Sequence, residues 1–244
     1  MTARGRSRYL MGLAGAALAF VAPAPAKGGS RFAIEPPDIV ISRAYRYAAM
    51  ESEHCLSLLA LRDVPFEVAP PTKGVDTPVR LTGPVRGVHF VPVEAQGPPE
   101  KDFRTIADCR LALALDDLAL VLSPHHVQRA EYFSMYRRKG VGFVKPGKRH
   151  PGGRAIDLVN LVLADGTTYS VRRDFHGTRG VGTCGDRAGK PRRDTEGARV
   201  WWSVICELDR LRSFNLILSP NHDWAHRDHL HMEVRSGIRW QLIQ

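Results

Sequence analysis

Two segments constrain this chain more than any other feature: His150-Pro-Gly-Gly-Arg-Ala-Ile-Asp157 and, well downstream, His226-Arg-Asp-His229-Leu-His231. Together they hold four imidazoles and two carboxylates. That is more than one zinc ion needs, since a catalytic zinc takes three protein ligands and leaves a fourth position to water. If both segments serve one ion, the fold must bring them side by side. Asp157 alternates with Ile156 and Leu158, so on a strand it shares a face with Ala155 and Val159. A carboxylate on a strand that is at least half buried needs a partner, a metal or an arginine, because an unpaired buried charge is costly. Gly152 and Gly153 let the backbone turn back, so that His150 and Asp157 can reach one point. On a strand His229 and His231 face the same side, roughly 6–7 Å apart. One can bind the metal while the other serves its water or substrate. His222 lies near this motif but outside its spacing. His54, His89, His125, His126 and His176 fall outside both motifs and are read as surface or structural residues.

The remaining patterns predict an α+β domain in which a small antiparallel sheet carries the metal site and helices flank it. Ser52–Leu61 reads as a short helix with Ser52 as its cap, and Ile106–Leu122 as a long helix apolar around much of its circumference, hence buried. Val79–Leu81 and Val88–Val93 read as short strands, the second demoted to an edge by Pro92. In the second half, Ala130–Tyr136 and Arg154–Leu163 read as strands. The Asp165-Gly166 turn makes Leu158–Leu163 and Thr168–Arg172 a hairpin. A Gly-rich loop over Phe175–Thr195 precedes a helix at Glu196–Arg212, and Phe214–Leu218 and His229–Val234 close the domain as strands.

Residues 1–26 have the build of a secretory signal peptide: Arg4, Arg6 and Arg8, an apolar run from Leu10 to Ala22, and small residues at Ala24-Pro25-Ala26. The apolar run of 13 residues is shorter than the ~20 that span a bilayer as a helix. No integral membrane segment is therefore expected after cleavage. Residues 27–37 read as a flexible leader and 38–244 as a single domain, taken as a monomer. Cleavage would remove three arginines and no acid, lowering the net charge from +10 to +7. Basic runs at Arg137-Arg138-Lys139, Lys145–Arg154 and Lys190–Arg193 favour a polyanionic partner. No nucleic-acid motif accompanies them, and export points to an acidic cell-wall polymer instead. Cys55, Cys109, Cys184 and Cys206 are an even set in a chain read as exported, the pattern of two disulfides. Of three possible connectivities, Cys55–Cys109 with Cys184–Cys206 is preferred, because each pair lies near one predicted helix in its own half.

At the Cys109-Arg-Leu-Ala-Leu-Ala-Leu helix, the His150–Asp157 segment and Ser219-Pro-Asn-His-Asp-Trp-Ala-His226-Arg-Asp-His229-Leu-His231, the chain resembles the extensin-like C-terminal domain family of bacterial exported proteins. That family in turn resembles the zinc peptidases that cut peptidoglycan peptides, among them D-Ala-D-Ala carboxypeptidases and murein endopeptidases. The resemblance implies that His150, Asp157 and His231 are the zinc ligands. It makes His229 an imidazole beside the ion that helps activate water or stabilise the oxyanion, and it puts His226 in the place of a general base. The chain departs from the family where a Cys-Arg pair is usual; Tyr136-Arg137-Arg138 stands there. Arg137 or Arg138 is expected to hold a substrate carboxylate or the oxyanion. The expected function is zinc-dependent hydrolysis of a peptide (amide) bond in peptidoglycan or a related cell-wall peptide, in the periplasm or outside the cell. The alternative is a non-catalytic wall-binding protein with a structural metal.

Overall fold

The computed structural model describes residues 33–34, 41–94, 97–138, 148–186 and 188–244. In chain order these form β1 (Ala33–Ile34), α1 (Arg43–Ala48), α2 (Ser52–Leu61), β2 (Phe66–Val68), β3 (Pro78–Leu81), β4 (His89–Pro92), β5 (Ala107–Asp108), α3 (Cys109–Leu122), β6 (Val127–Tyr132), β7 (Ala155–Leu163), β8 (Thr168–Ser170), α4 (Val171–Asp174), α5 (Glu196–Leu211), β9 (Leu216–Leu218), β10 (Leu230–Glu233) and β11 (Gln241–Ile243). The expected signal peptide lies outside the described residues, as do Lys139 and residues 140–147, which include the first part of the Lys145–Arg154 run. Of the leader only β1 is described, and it pairs with β11.

The α+β class is as expected. One sheet runs β1-β11-β9-β10-β7-β6-β4 with β8 on β7, and a second, three-stranded sheet runs β2-β3-β5. The strands that carry the motifs are antiparallel to their neighbours, β6 with β7, β7 with β10 and β10 with β9. The sheet is nevertheless larger than expected and mixed, because β4 joins β6 in parallel and β11 joins β9 in parallel. β4, with Pro92, is indeed the terminal strand on its side. The alternation of side chains decides what each face does. Ile156 and Leu158 of β7, with Leu230 and Met232 of β10, enter the main core together with α3 and α5. Asp157, His231 and Glu233 project from the other face.

α3 is the hub of the helical layer, with thirteen of its fourteen residues buried. It begins three residues later than the pattern suggested. Asp108 caps it by accepting from the Arg110 amide at 3.1 Å, and Ala107–Asp108 pair with β3 instead of joining the helix. Three more elements end differently from their sequence reading. Ser52 is not the cap of α2 but its first residue, and its hydroxyl bonds Thr77 at 2.6 Å. β6 stops at Tyr132, where its register on β7 shifts. The second hairpin strand stops at Ser170, because Val171–Asp174 turn into a helix that the Asp174 carboxylate ties to the Ser170 amide at 2.7 Å. Both expected disulfides are present, Cys55–Cys109 tying α2 to the start of α3 and Cys184–Cys206 tying the long loop to α5.

Candidate metal centre

Local chain geometry brings His150 and Asp157 together. His150–Gly152 form a single 3-10 turn, closed by Gly153 at φ +62°. A Cβ at Gly153 would lie 2.7 Å from the Asp108 amide nitrogen, and the Gly153 carbonyl accepts from that amide at 2.8 Å. The turn is thus pressed against the start of α3, and only glycine fits there. Leaving it, the chain runs straight into β7. The second motif arrives across the sheet: His231 is the direct cross-strand partner of Asp157, and opposed side chains on one face of an antiparallel pair are nearest neighbours.

The result is a buried triad. Candidate ligand atoms of His150, Asp157 and His231 all lie within 4.8 Å of one another, and each side chain belongs to a residue less than a tenth exposed. Two imidazole nitrogens converge on one carboxylate oxygen: His150 Nε2 at 3.1 Å and His231 Nδ1 at 2.7 Å from Asp157 Oδ1. The far nitrogens are also committed. His150 Nδ1 meets the Met135 carbonyl at 3.2 Å, so it carries the proton and leaves Nε2 to face Asp157. His231 Nε2 meets Glu233 Oε1 at 2.5 Å. Glu233, wholly buried, is further neutralised by Arg149 at 3.3 Å and Arg235 at 3.2 Å. A carbonyl or carboxylate behind each ligating imidazole is the usual way a protein fixes the ring and its tautomer.

The electrostatics follow from burial and these contacts. Burial pushes His150 down, against the raising influence of Asp157. Burial alone would raise Asp157, but His150 and His231 outweigh it and hold the carboxyl well below its usual range. For His231 burial again lowers the pKa, yet hydrogen bonds to Asp157 and Glu233 win and raise it to about 9. Two imidazole nitrogens and a buried carboxylate oxygen thus crowd one point, an arrangement that could hold a positive ion. Two nitrogens and one oxygen suit zinc by donor type, so the chemistry of the set fits the metal that the sequence predicts.

The triad opens on a cavity of about 320 Å³ lined also by Arg137, Arg149, His226 and His229. His229 lies just before β10. Its Nε2 is 3.6 Å from Asp157 Oδ1 and its Nδ1 is 2.9 Å from Asp228. His226 sits on the turn before it, its ring 5.3 Å from that of His229 and 5.8 Å from that of His231. Its Nδ1 bonds Asp223 Oδ1 at 2.7 Å, which leaves Nε2 for exchange with the cavity. Of the two arginines, Arg137 meets the triad, contacting Asp157 Oδ2 and bonding Ser134 at 2.7 Å. Arg138 points elsewhere, its guanidinium 5.2 Å over the Phe103 ring. His222 bonds Gln244 at 3.0 Å and takes no place in the cavity lining.

Three residues of this constellation escape sequence reading: Glu233, Asp223 and Arg149. Two left a signal. Glu233 stands two residues after His231, hence on the same strand face, and Asp223 stands three before His226, the spacing of a short capped turn. Arg149 left none beyond its basic run.

Fold and site together define an α+β domain with a buried His-Asp-His group of metal-binding type beside two further imidazoles. A family model described as "Extensin-like protein C-terminus" matches residues 74–243, and the chain belongs to that family. No curated protein and no solved structure matches it.

Proposed function

We propose that this protein is an exported zinc-dependent hydrolase that cleaves a peptide (amide) bond in peptidoglycan or a related cell-wall peptide. The observation that carries the reading is the convergence of His150 Nε2 and His231 Nδ1 on Asp157 Oδ1 at the floor of an open cavity. His150, Asp157 and His231 would hold the ion. When bound, zinc polarises the scissile carbonyl and brings the pKa of a water near neutrality. The chain's own groups do the rest. His226, oriented by Asp223, takes a proton at Nε2 from the attacking water and returns it to the leaving amine nitrogen. His229, as an imidazolium whose Nδ1–H is held by Asp228, would donate its Nε2–H to the oxygen that gains charge. Arg137, in contact with Asp157 Oδ2, would present its guanidinium to a substrate carboxylate. The two disulfides fit an oxidising compartment. No helix among the described residues is long and apolar enough to cross a membrane.

Purified peptidoglycan incubated with zinc-loaded protein should release muropeptides carrying new amine and carboxyl termini, and chelated protein should release none. The competing reading, a wall-binding protein with a structural metal, draws on the closeness of His229 Nε2 to Asp157, 3.6 Å, from which it would serve as a fourth ligand. Sedimentation with peptidoglycan of several chemotypes, with no fragment released from any, would replace the hydrolase with that alternative.

A further inference from the structure

A second, larger cavity of about 490 Å³ lies on the other side of the Asp223–Arg227 turn. The turn is a shared wall. Ala225 and His226 line the metal cavity, whereas Asp223, Trp224 and Arg227 line the second one. Its charge is lopsided. Arg172, Arg179, Arg192 and Arg227 face a single acid, Asp223, whose carboxylate is already engaged by the His226 ring and amide. The side chains of Arg172, Arg179 and Arg192 are exposed and have no ion-pair partner among the described residues. Unpaired guanidiniums lining one concavity favour carboxylate or phosphate ligands, which they can grip through two parallel hydrogen bonds.

An apolar platform accompanies the charge. Trp224 is 66% exposed, the most exposed aromatic side chain among the described large hydrophobics, with the Arg227 guanidinium 5.0 Å from its ring. A ring open at the cavity rim offers an apolar face with a polar edge to a ligand held there. The walls are also built to hold their shape. Asn221 bridges them, accepting from the Thr178 amide at 2.7 Å through its side chain and from the Gly180 amide at 2.7 Å through its carbonyl. Gly177 passes so close to the Asn221 amide oxygen that a Cβ there would collide with it. The Cys184–Cys206 bridge ties the same loop to α5. A rigid cationic groove needs little ordering on binding, so less of the contact energy is lost.

We propose that this groove is a binding subsite for the carboxylate-bearing part of a glycopeptide polymer, with Arg172, Arg179 and Arg192 on the carboxylates and Trp224 against a sugar face, while another part of the same polymer lies over the metal centre. The choice of a carboxylate polymer rests on the hydrolase reading above; the groove itself does not. Its position across one turn from the cavity with His226 makes it an extension of that site along a substrate strand.

The test uses full-length protein with its metal chelated, so that binding is read without cleavage. Sedimentation with purified peptidoglycan should weaken ~10-fold or more in an Arg172→Glu, Arg192→Glu double variant, as expected when paired charges are reversed, and measurably in Trp224→Ala. Thermal melting of these variants, and their zinc content when reloaded with the metal, should stay at wild-type values, since these side chains are exposed. Groove variants that sediment like wild type would overturn the proposal. So would a wild-type protein that ignores peptidoglycan and binds a phosphate polymer, an oligonucleotide, through the same arginines. Groove-dependent binding by a protein that, reloaded with zinc, cuts nothing would keep the subsite and reject the hydrolase.

Discussion

Two of the buried carboxylate clusters among the described residues are put together differently. On α3, Asp117 receives Arg43 at 2.7 Å, the Tyr47 hydroxyl at 2.8 Å and the Ser213 hydroxyl at 2.8 Å, and Asp116 receives Arg86 at 2.6 Å and Arg62 at 3.2 Å. Their partners are guanidiniums, which stay charged at any relevant pH, and hydroxyls, which donate. Around Asp157 the partners are chiefly imidazoles. They converge on one oxygen, hold carbonyl or carboxylate partners behind them, and face an open cavity. The first cluster is closed and joins α1, α2 and the chain after α5 to the hub helix. The second is a group whose donor atoms, all within 4.8 Å of one another, could hold a metal ion. Burial of an acid therefore says little by itself. The kind of base around it separates a structural knot from a chemical site.

The contrast can be broken at several points. The largest effect should come from an Asp157→Ala, His231→Ala double variant: zinc content measured by mass spectrometry should fall from one ion per chain to none, and hydrolysis should vanish with it. Full occupancy would remove the metal centre from these residues. Asp117→Ala should do the opposite, leaving zinc binding intact while costing about 3–5 kcal/mol in denaturant unfolding, because it strands buried partners. A loss below ~1 kcal/mol, the worth of an exposed pair, would mean that this cluster is not a structural knot. Reduction of the disulfides should destabilise by ~2–4 kcal/mol each through the unfolded ensemble, and unfolding curves that coincide with and without reductant would contradict that. His229→Ala and, separately, His226→Ala should keep the metal yet slow release of muropeptides by ~10²-fold or more; loss of zinc in His229→Ala would make that imidazole a ligand and favour the structural alternative.

The smallest effect concerns pH. Burial holds the His226 imidazole below its ordinary value of 6.5, against a raising hydrogen bond from Asp223. The neutral base thus persists below pH 6.5, and activity should fall only as pH drops through that depressed value. Asp223→Asn removes the raising influence, so the acid limb of kcat/KM should move to still lower pH. A limb that moves upward or stays in place would separate His226 from the proton transfer.

How much of this could be read in the chain depended on how far apart the cooperating residues stand. Strands β7 and β10 were legible because alternation is local: Ile156 and Leu158 against Asp157, Leu230 and Met232 against His231. The turn between His150 and Asp157 was legible because Gly152-Gly153 advertise it. The start of α3 differs from the local pattern because Ala107 and Asp108 are drawn into a strand by β3, pairing with Val79 and Pro78 far upstream in a register no local pattern shows. Arg137 and Arg138 are equal in sequence, and only the course of the chain after β6 sends one to Asp157 and the other to Phe103.

The sequence by itself determined the residue types of the site and the strand faces of Asp157 and His231, since each follows from spacing within a few residues; it allowed three cysteine pairings, and the structure decided among them. The tertiary structure decided the rest. It set His231 opposite Asp157 through cross-strand register, turned Glu233 and Asp223 into supports for imidazoles, and folded the Asp223–Arg227 turn into a wall between two cavities. Those relations depend on how separate strands and loops pack against one another. Contacts between distant segments are set by the global fold and its burial, which no local periodicity encodes.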